Sequence, residues 1–337
     1  MKTTTHVLGV GFISLAHVQG VSVVVDYTYD TNSFFTGNAA AMSAMERAAA
    51  RWSNILSGSQ LSAAAINDTN DGRIGFSHPG TGNSFEISGA ANSGSDSIVG
   101  AGGSVANDYR SITFNADEWI LFAGGRSTNI SSDGIGGTGT GTNFTSVFTD
   151  PTSHLNRGFN SGSNSLPTWG GAISFDSSTS WDFTDDASGS GADFYTIALH
   201  EIGHALGLAA NWDDMEQHVS GSSYSGAFAL AAVNADNGTS LTSLNLVSSS
   251  NYHWADQAYQ SMIFAFGNPS YDGTVGEGNL QDLIMDPIAN TSVSIDRLEL
   301  TNADIGLARD IGWQVIPEPS TLLLAGLGLL GFSRRRK

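Results

Sequence analysis

Asp193-Phe194-Tyr195-Thr196-Ile197-Ala198-Leu199-His200-Glu201-Ile202-Gly203-His204-Ala205-Leu206-Gly207-Leu208 is the stretch on which the reading of this chain turns. Phe194, Ile197, Leu199, Ile202, Ala205 and Leu206 spread around a helical wheel, as expected of a buried helix. Asp193 stands where a carboxylate caps the free N–H groups, and Gly207 stands where a left-handed residue ends a helix. His200 and His204 are four residues apart, so their imidazoles leave one face. Two unpaired polar rings in an apolar helix would be costly. A shared cation removes that cost, and the imidazole pair suits Zn2+. Glu201 is next in sequence and can take the proton of a water on that metal and pass it to a leaving amine.

Outward from this helix, the 337 residues make one large domain or two ordinary ones. Val21–Tyr29 alternates and is β-branched, which predicts a strand. Met42, Met45, Ala49 and Trp52 recur at helical spacing, which predicts a helix over Asn38–Leu56, ended by Ser57-Gly58. Short strands are expected around Ile74–Phe76, Phe85–Ile87, Ser111–Phe114, Trp119–Phe122 and Gly170–Asp176, and a last helix over Asp304–Asp310. The glycine runs Gly100–Gly103 and Gly134–Gly141 lack the Gly-Lys-Ser/Thr of a phosphate loop and read as plain loops. Residues 209–280 are polar and weakly patterned. Asp68–Gly72 reads as a turn, because the downstream Glu of a calcium loop is missing.

Thirteen Lys+Arg stand against 32 Asp+Glu, a formal net charge of −19. Lys2, Arg334, Arg335, Arg336 and Lys337 sit at the extreme ends. The span 21–315 holds eight arginines, no lysine and 31 acids, a net of −23. That balance argues against nucleic acid as a partner, since binders neutralise phosphates with Lys and Arg. Cysteine is absent, which excludes disulfides, thiolate metal sites and a thiol-based latency switch.

The two ends read as addresses. Residues 1–20 have the order of a secretory signal: a basic start, the apolar run Val7–Val18, and small residues near Gly20. At the other end Ile316-Pro317-Glu318-Pro319-Ser320-Thr321 precedes the apolar Leu322–Phe332 and the basic cluster Arg334–Lys337. Residues 316–337 resemble the PEP-CTERM sorting signal of Gram-negative bacteria. The resemblance implies export, transient anchoring in the inner membrane through a short helix, removal of the tail by an exosortase, and a final place at the cell surface or outside the cell.

The helix over Asp193–Leu208 resembles the active-site helix of the metzincin metalloproteases, matrixin-like members in particular. In that family the motif runs on to a Gly and then a third zinc-binding His. Gly207 matches, but Ala210 occupies the third position. Downstream, His218, His253, Asp213 and Asp214 are the candidates for a replacement, with water as a further option; His253 is preferred. It stands in Asn251-Tyr252-His253-Trp254-Ala255-Asp256, ahead of Leu283-Ile284-Met285-Asp286-Pro287. Met285 fits the Met-turn that metzincins carry beneath the metal, and Asp310-Ile311-Gly312-Trp313 follows as in matrixin-like proteins with PEP-CTERM tails. The resemblance then implies an insertion over 210–252. Asp26–Asp30 with Phe34-Phe35 is similar to the family's first strand and turn. Phe175-Asp176 with Trp181 is similar to a matrixin calcium strand, but Thr179 stands where the family has an acid. A solvated strand end is therefore preferred to a Ca2+ site at Asp176.

The expected fold is α+β and zincin-like: a twisted mixed sheet, a long helix and the active-site helix, then a smaller irregular C-terminal subdomain with the Met-turn. Expected boundaries are 1–20 for the signal, 21–315 for the catalytic domain (upper part 21–208, lower part 209–315) and 316–337 for the sorting tail. The implied activity is a secreted or surface zinc endopeptidase, with protein or peptide substrates, Zn2+ on His200, His204 and His253, and Glu201 as general base and then acid. Two alternatives stand. One is a gluzincin-type peptidase with Glu216, Glu277 or Glu299 as third ligand, against which Gly207 and Met285 count. The other is a non-catalytic zinc-binding surface or matrix protein, against which an intact Glu201 counts.

Overall fold

The computed structural model describes residues 20–58, 60–61, 63–66, 73–88, 106–109, 111–127, 134–138, 169–209, 213–248, 251–255, 259–264, 280–286 and 297–316. The signal, the sorting tail beyond residue 316, Gly100–Gly103, Asp68–Gly72 and Glu277 lie outside them.

A four-stranded mixed sheet forms the centre. Strand β1 (Ser22–Asp26) pairs in parallel with β7 (Glu118–Arg126), β7 in parallel with β9 (Gly170–Asp176), and β9 antiparallel with β8 (Gly134–Thr138), which is an edge strand. The seven-residue run 119–125 of β7 is buried on both faces, as a central strand requires. Trp119, Leu121 and Ala123 point into the main core, whereas Ile120 and Phe122 point into a second core of Tyr29, Phe76, Phe85 and Trp169 on the opposite face. The period-2 alternation of side chains makes that division.

Two helices cover the main-core face. Helix α1 (Ala39–Ser53) is capped by Asn38, whose side chain accepts from the Ala41 N–H; it buries Ala41, Ala44, Met45, Ala48, Ala49 and Trp52. Helix α2 (Phe194–Ala205) is capped by Asp193, which accepts from the Thr196 N–H, and is buried almost throughout. Gly207 takes a positive φ of 94°, which lets the chain leave sharply after the helix. The Trp52 indole donates to the Leu199 carbonyl at 3.1 Å, fixing the two helices against each other.

Over the second core lie the antiparallel pair of β2 (Ala64–Ile66) with β6 (Ile112–Phe114), and the three-stranded sheet of β3 (Arg73–Ser77), β4 (Ser84–Ser88) and β5 (Ala106–Tyr109). A two-residue parallel pairing, β10 (Trp181–Asp182) with β11 (Ala192–Asp193), leads into α2.

The weakly patterned stretch 209–280 is more ordered than its sequence announced. It holds the short helix α3 (Asp213–Glu216), the helix α4 (Ala227–Asn237) and an antiparallel sheet of β12 (Val219–Ser220), β13 (Ser223–Tyr224), β14 (Leu244–Ser248) and β15 (Asn251–Trp254). Strand β16 (Gln260–Met262) pairs with β17 (Leu280–Asp282), and helix α5 (Asn302–Asp310) packs on α4. Asp310 ties that packing: its carboxylate accepts from the Phe228 and Ala229 N–H groups and from the Tyr224 hydroxyl. The architecture is α+β with mixed sheets and few helices. Gly134–Thr138, expected as a loop, is a strand: it completes the central sheet against β9 and lies along α2. Among the described residues no helix is long and apolar enough to cross a membrane.

Candidate active site

Two elements deliver three imidazoles to one point. His200 and His204 come from successive turns of α2, and His253 comes from β15. The Nε2 atoms of His204 and His253 are 2.9 Å apart, and those of His253 and His200 are 3.3 Å apart. His200 Nδ1 lies 2.6 Å from the Ile284 carbonyl oxygen and His204 Nδ1 lies 3.0 Å from that of Leu208. A carbonyl only accepts, so each Nδ1 carries the proton and each Nε2 presents a lone pair.

Burial reinforces that state. It lowers the pKa of His200 to about 4, opposed by the bond to Ile284. Burial, then the neighbouring His200, lowers His253 to about 4. His204 falls well below the ordinary histidine value, first by burial and then by the two other rings. Three neutral rings thus bring their Nε2 atoms together, those of His200 and His204 as bare lone pairs. The donor set fits a cation: at Zn–N distances of ~2.0–2.1 Å, tetrahedral geometry places ligand nitrogens about 3.3 Å apart. Among the described residues this is the cluster of His, Asp or Glu whose ligand atoms could hold a metal ion.

Glu201 sits beside the triad, 6% exposed. Burial pushes its pKa up to about 8, and an N–H bond from Gly136 of β8 opposes the shift. Its Oε2 is buried with no hydrogen-bond partner. A buried, under-satisfied carboxylate next to a cation site is the arrangement that general acid–base chemistry uses.

Met285 is fully buried beneath α2. A Cβ added to Gly203 would stand 2.6 Å from its sulfur, so the glycine inside the two-histidine motif makes room for the methionine. The Met285 carbonyl accepts from the Trp254 N–H at 3.2 Å, which links this turn to the strand carrying His253. Asp304 supports the turn from behind. Its Oδ2 accepts from the Ile284 N–H at 3.1 Å and from the Thr301 N–H at 2.9 Å, and its Oδ1 lies 3.4 Å from the Met285 nitrogen. Burial raises Asp304 to about 6, against those bonds. Sequence reading gave Asp304 only as a helix start. The capping pattern Thr301-Asn302-Ala303-Asp304 was the available signal, and its second use on the Ile284-Met285 backbone is tertiary.

The remaining candidates are engaged elsewhere. His218 Nε2 bonds the Asp310 carbonyl at 2.9 Å. Glu299 is buried against Arg51 at 2.9 Å and accepts from the Tyr195 hydroxyl at 2.8 Å. Glu216 is exposed on α3, and Asp214 is buried apart from the triad. Asp176 closes its own turn, its Oδ1 accepting from the Ser178 N–H and hydroxyl at 2.7 and 2.6 Å.

No curated protein and no solved structure matches the chain. Two family models do: residues 315–337 match the PEP-CTERM protein-sorting motif, and residues 139–216, which carry α2 with His200, Glu201 and His204, match matrixin.

Proposed function

We propose that this chain is a surface-directed zinc endopeptidase, with His200, His204 and His253 as the metal ligands and Glu201 as general base and then general acid. The observation that carries the reading is the convergence of three imidazole Nε2 atoms, together with a buried carboxylate on the same helix that lacks a full set of partners. A structural zinc site has no use for that carboxylate. The matrixin match over α2 and the PEP-CTERM match at the end support the same reading.

Zn2+ held by the triad would supply Lewis acidity, polarising the scissile carbonyl and lowering the pKa of water toward ~7. The chain's own residues do the rest. Ile284 and Leu208 hold two of the rings in the Nδ1–H tautomer through their carbonyls. Glu201 takes the proton of the attacking water, keeps it in a desolvated pocket that favours the neutral acid, and delivers it to the departing amine. An extended peptide adding to the edge strand β8 would run beside Glu201.

In domain terms, 1–20 is an export signal, 21–315 the catalytic unit divided near residue 208, and 316–337 the tail that an exosortase removes after transient anchoring. The test uses cleavage of an unstructured protein substrate by zinc-loaded 21–315 beside Glu201→Ala. The expected result is loss of at least about 100-fold in kcat with zinc retained. Undiminished cleavage by Glu201→Ala would refute the mechanism.

A further inference from the structure

Strand β8 reads Gly134-Ile135-Gly136-Gly137-Thr138, an unusual composition for a sheet that abuts a helix. Neither Gly134 nor Gly136 has a positive φ, so the backbone there would accept any residue. The constraint is space. A Cβ at Gly134 would stand 2.8 Å from Glu201 Cγ, 2.9 Å from its Oε1 and 3.0 Å from its Cδ. A Cβ at Gly136 would stand 2.8 Å from Glu201 Oε2 and would overlap the Glu201 carbonyl oxygen of α2. Ile135 points the other way and is 44% exposed. The Gly136 N–H donates to the Glu201 carboxylate. Glu201 therefore lies flat against a strip of bare backbone, 94% buried, with Oε2 buried and unpartnered.

We propose that Gly134 and Gly136 are positioning residues for Glu201: the missing side chains admit its carboxylate to the edge strand, and the Gly136 N–H anchors it there. The same strand then sets the base and aligns an added peptide, so both share one frame of reference. The inference rests on Glu201 acting as the general base.

The two glycines differ in what they would strike. At Gly134 the obstacle is a side chain that can rotate away. At Gly136 it is helix backbone that cannot. The test is thermal unfolding of metal-free protein for wild type, Gly134→Ala, Glu201→Ala and the double variant. Gly134→Ala should lower the midpoint in the wild-type background and leave it unchanged in the Glu201→Ala background, where the carboxylate no longer fills the space. If Gly134→Ala folds only together with Glu201→Ala, the proposal is equally supported. An equal fall in both backgrounds, or failure to fold in both, overturns it. Gly136→Ala should lower the midpoint in both backgrounds, because its Cβ meets the helix itself; no fall in either one counts against the close approach of β8 to α2. On the zinc-loaded enzyme Gly134→Ala should keep one zinc per chain and an unchanged KM while kcat falls about 10- to 100-fold, the cost of a misplaced group. An unchanged kcat overturns the positioning role. Should wild type cleave nothing, the protease reading fails, and the unfolding cycle still decides whether Gly134 sets the place of Glu201.

Discussion

Neutral, converging imidazoles are costly to keep without a cation, and that cost has a pH signature. In the unfolded chain a histidine protonates near its ordinary value of 6.5; in the folded site His200 and His253 hold out to about 4. The unfolded state therefore binds more protons at these two rings between those values, so their contribution to the metal-free fold is lost as pH drops from 6.5 to 4, while Glu201, raised to about 8, and Asp304, raised to about 6, act in the opposite direction. For His200 alone the loss is roughly 3 kcal/mol across that window. Urea unfolding of metal-free wild type beside His200→Asn at pH 7.5 and pH 5 isolates it, the variant losing less stability on acidification than wild type. The same pH dependence in His200→Asn as in wild type would contradict the neutral triad. Gly203 offers a second check at this scale. Gly203→Ala presses a methyl against the Met285 sulfur and should cost about 1–3 kcal/mol in chemical unfolding, with the flexible thioether keeping it toward the lower end.

At the scale of elements, Asp304 shows how α5 serves the site without touching it. One carboxylate caps the helix and holds the Ile284-Met285 backbone, and the Ile284 carbonyl in turn orients His200. Asp304→Ala strands several buried N–H groups, so a loss of about 3–5 kcal/mol is expected in urea unfolding. Zinc affinity should fall by about 10- to 100-fold through the loosened His200. An intact affinity would mean that the Ile284 carbonyl is held by other means.

The elements also show what the sequence could and could not convey. Helix α1 was legible from its apolar spacing, and α2 because its apolar spacing and its cap at Asp193 agree. Strand β9 was legible to the residue, Ala172, Ile173 and Phe175 standing between turn signals. Strand β8 was misread because glycine is normally depleted in strands; Gly134 and Gly136 pack against Glu201, 67 and 65 positions away. The two- to five-residue strands of 219–254 were missed because such short segments carry too little period to register. His253 was preferred as a metal ligand by family order and donor chemistry, while its approach on β15 depends on antiparallel pairing that no local signal encodes.

At the scale of the whole molecule, charge is used in two ways. The few arginines inside the domain include two that are buried as partners: Arg51 with Glu299, and Arg297 with Asp193 at 2.5 Å, the latter also lying over the Tyr195 ring. Asp193 caps α2, so Arg297 ties the C-terminal part of the chain to the start of the active-site helix. Arg297→Met leaves that carboxylate buried and unpaired, and a loss of about 3–5 kcal/mol is expected. Arg47→Met, which breaks the pair of the half-buried Arg47 with the exposed Asp185, should cost under about 1 kcal/mol. Parallel urea unfolding of the two variants measures the contrast, and similar losses would contradict it. The uncompensated acids that remain, a net of −23 over 21–315, should favour neutral or basic peptides at low salt, with the bias fading as salt rises. A charge-varied peptide library reads this directly; preferred cleavage at acidic sites would rule it out.

All of these scales meet at one claim, that a strand far downstream of the helix completes the metal centre. Zinc titration of metal-free 21–315, beside His253→Ala and His218→Ala, tests it most directly. One zinc per chain is expected for wild type and for His218→Ala, with affinity at least about 100-fold weaker for His253→Ala. Wild-type affinity in His253→Ala would contradict the account and move the third ligand elsewhere.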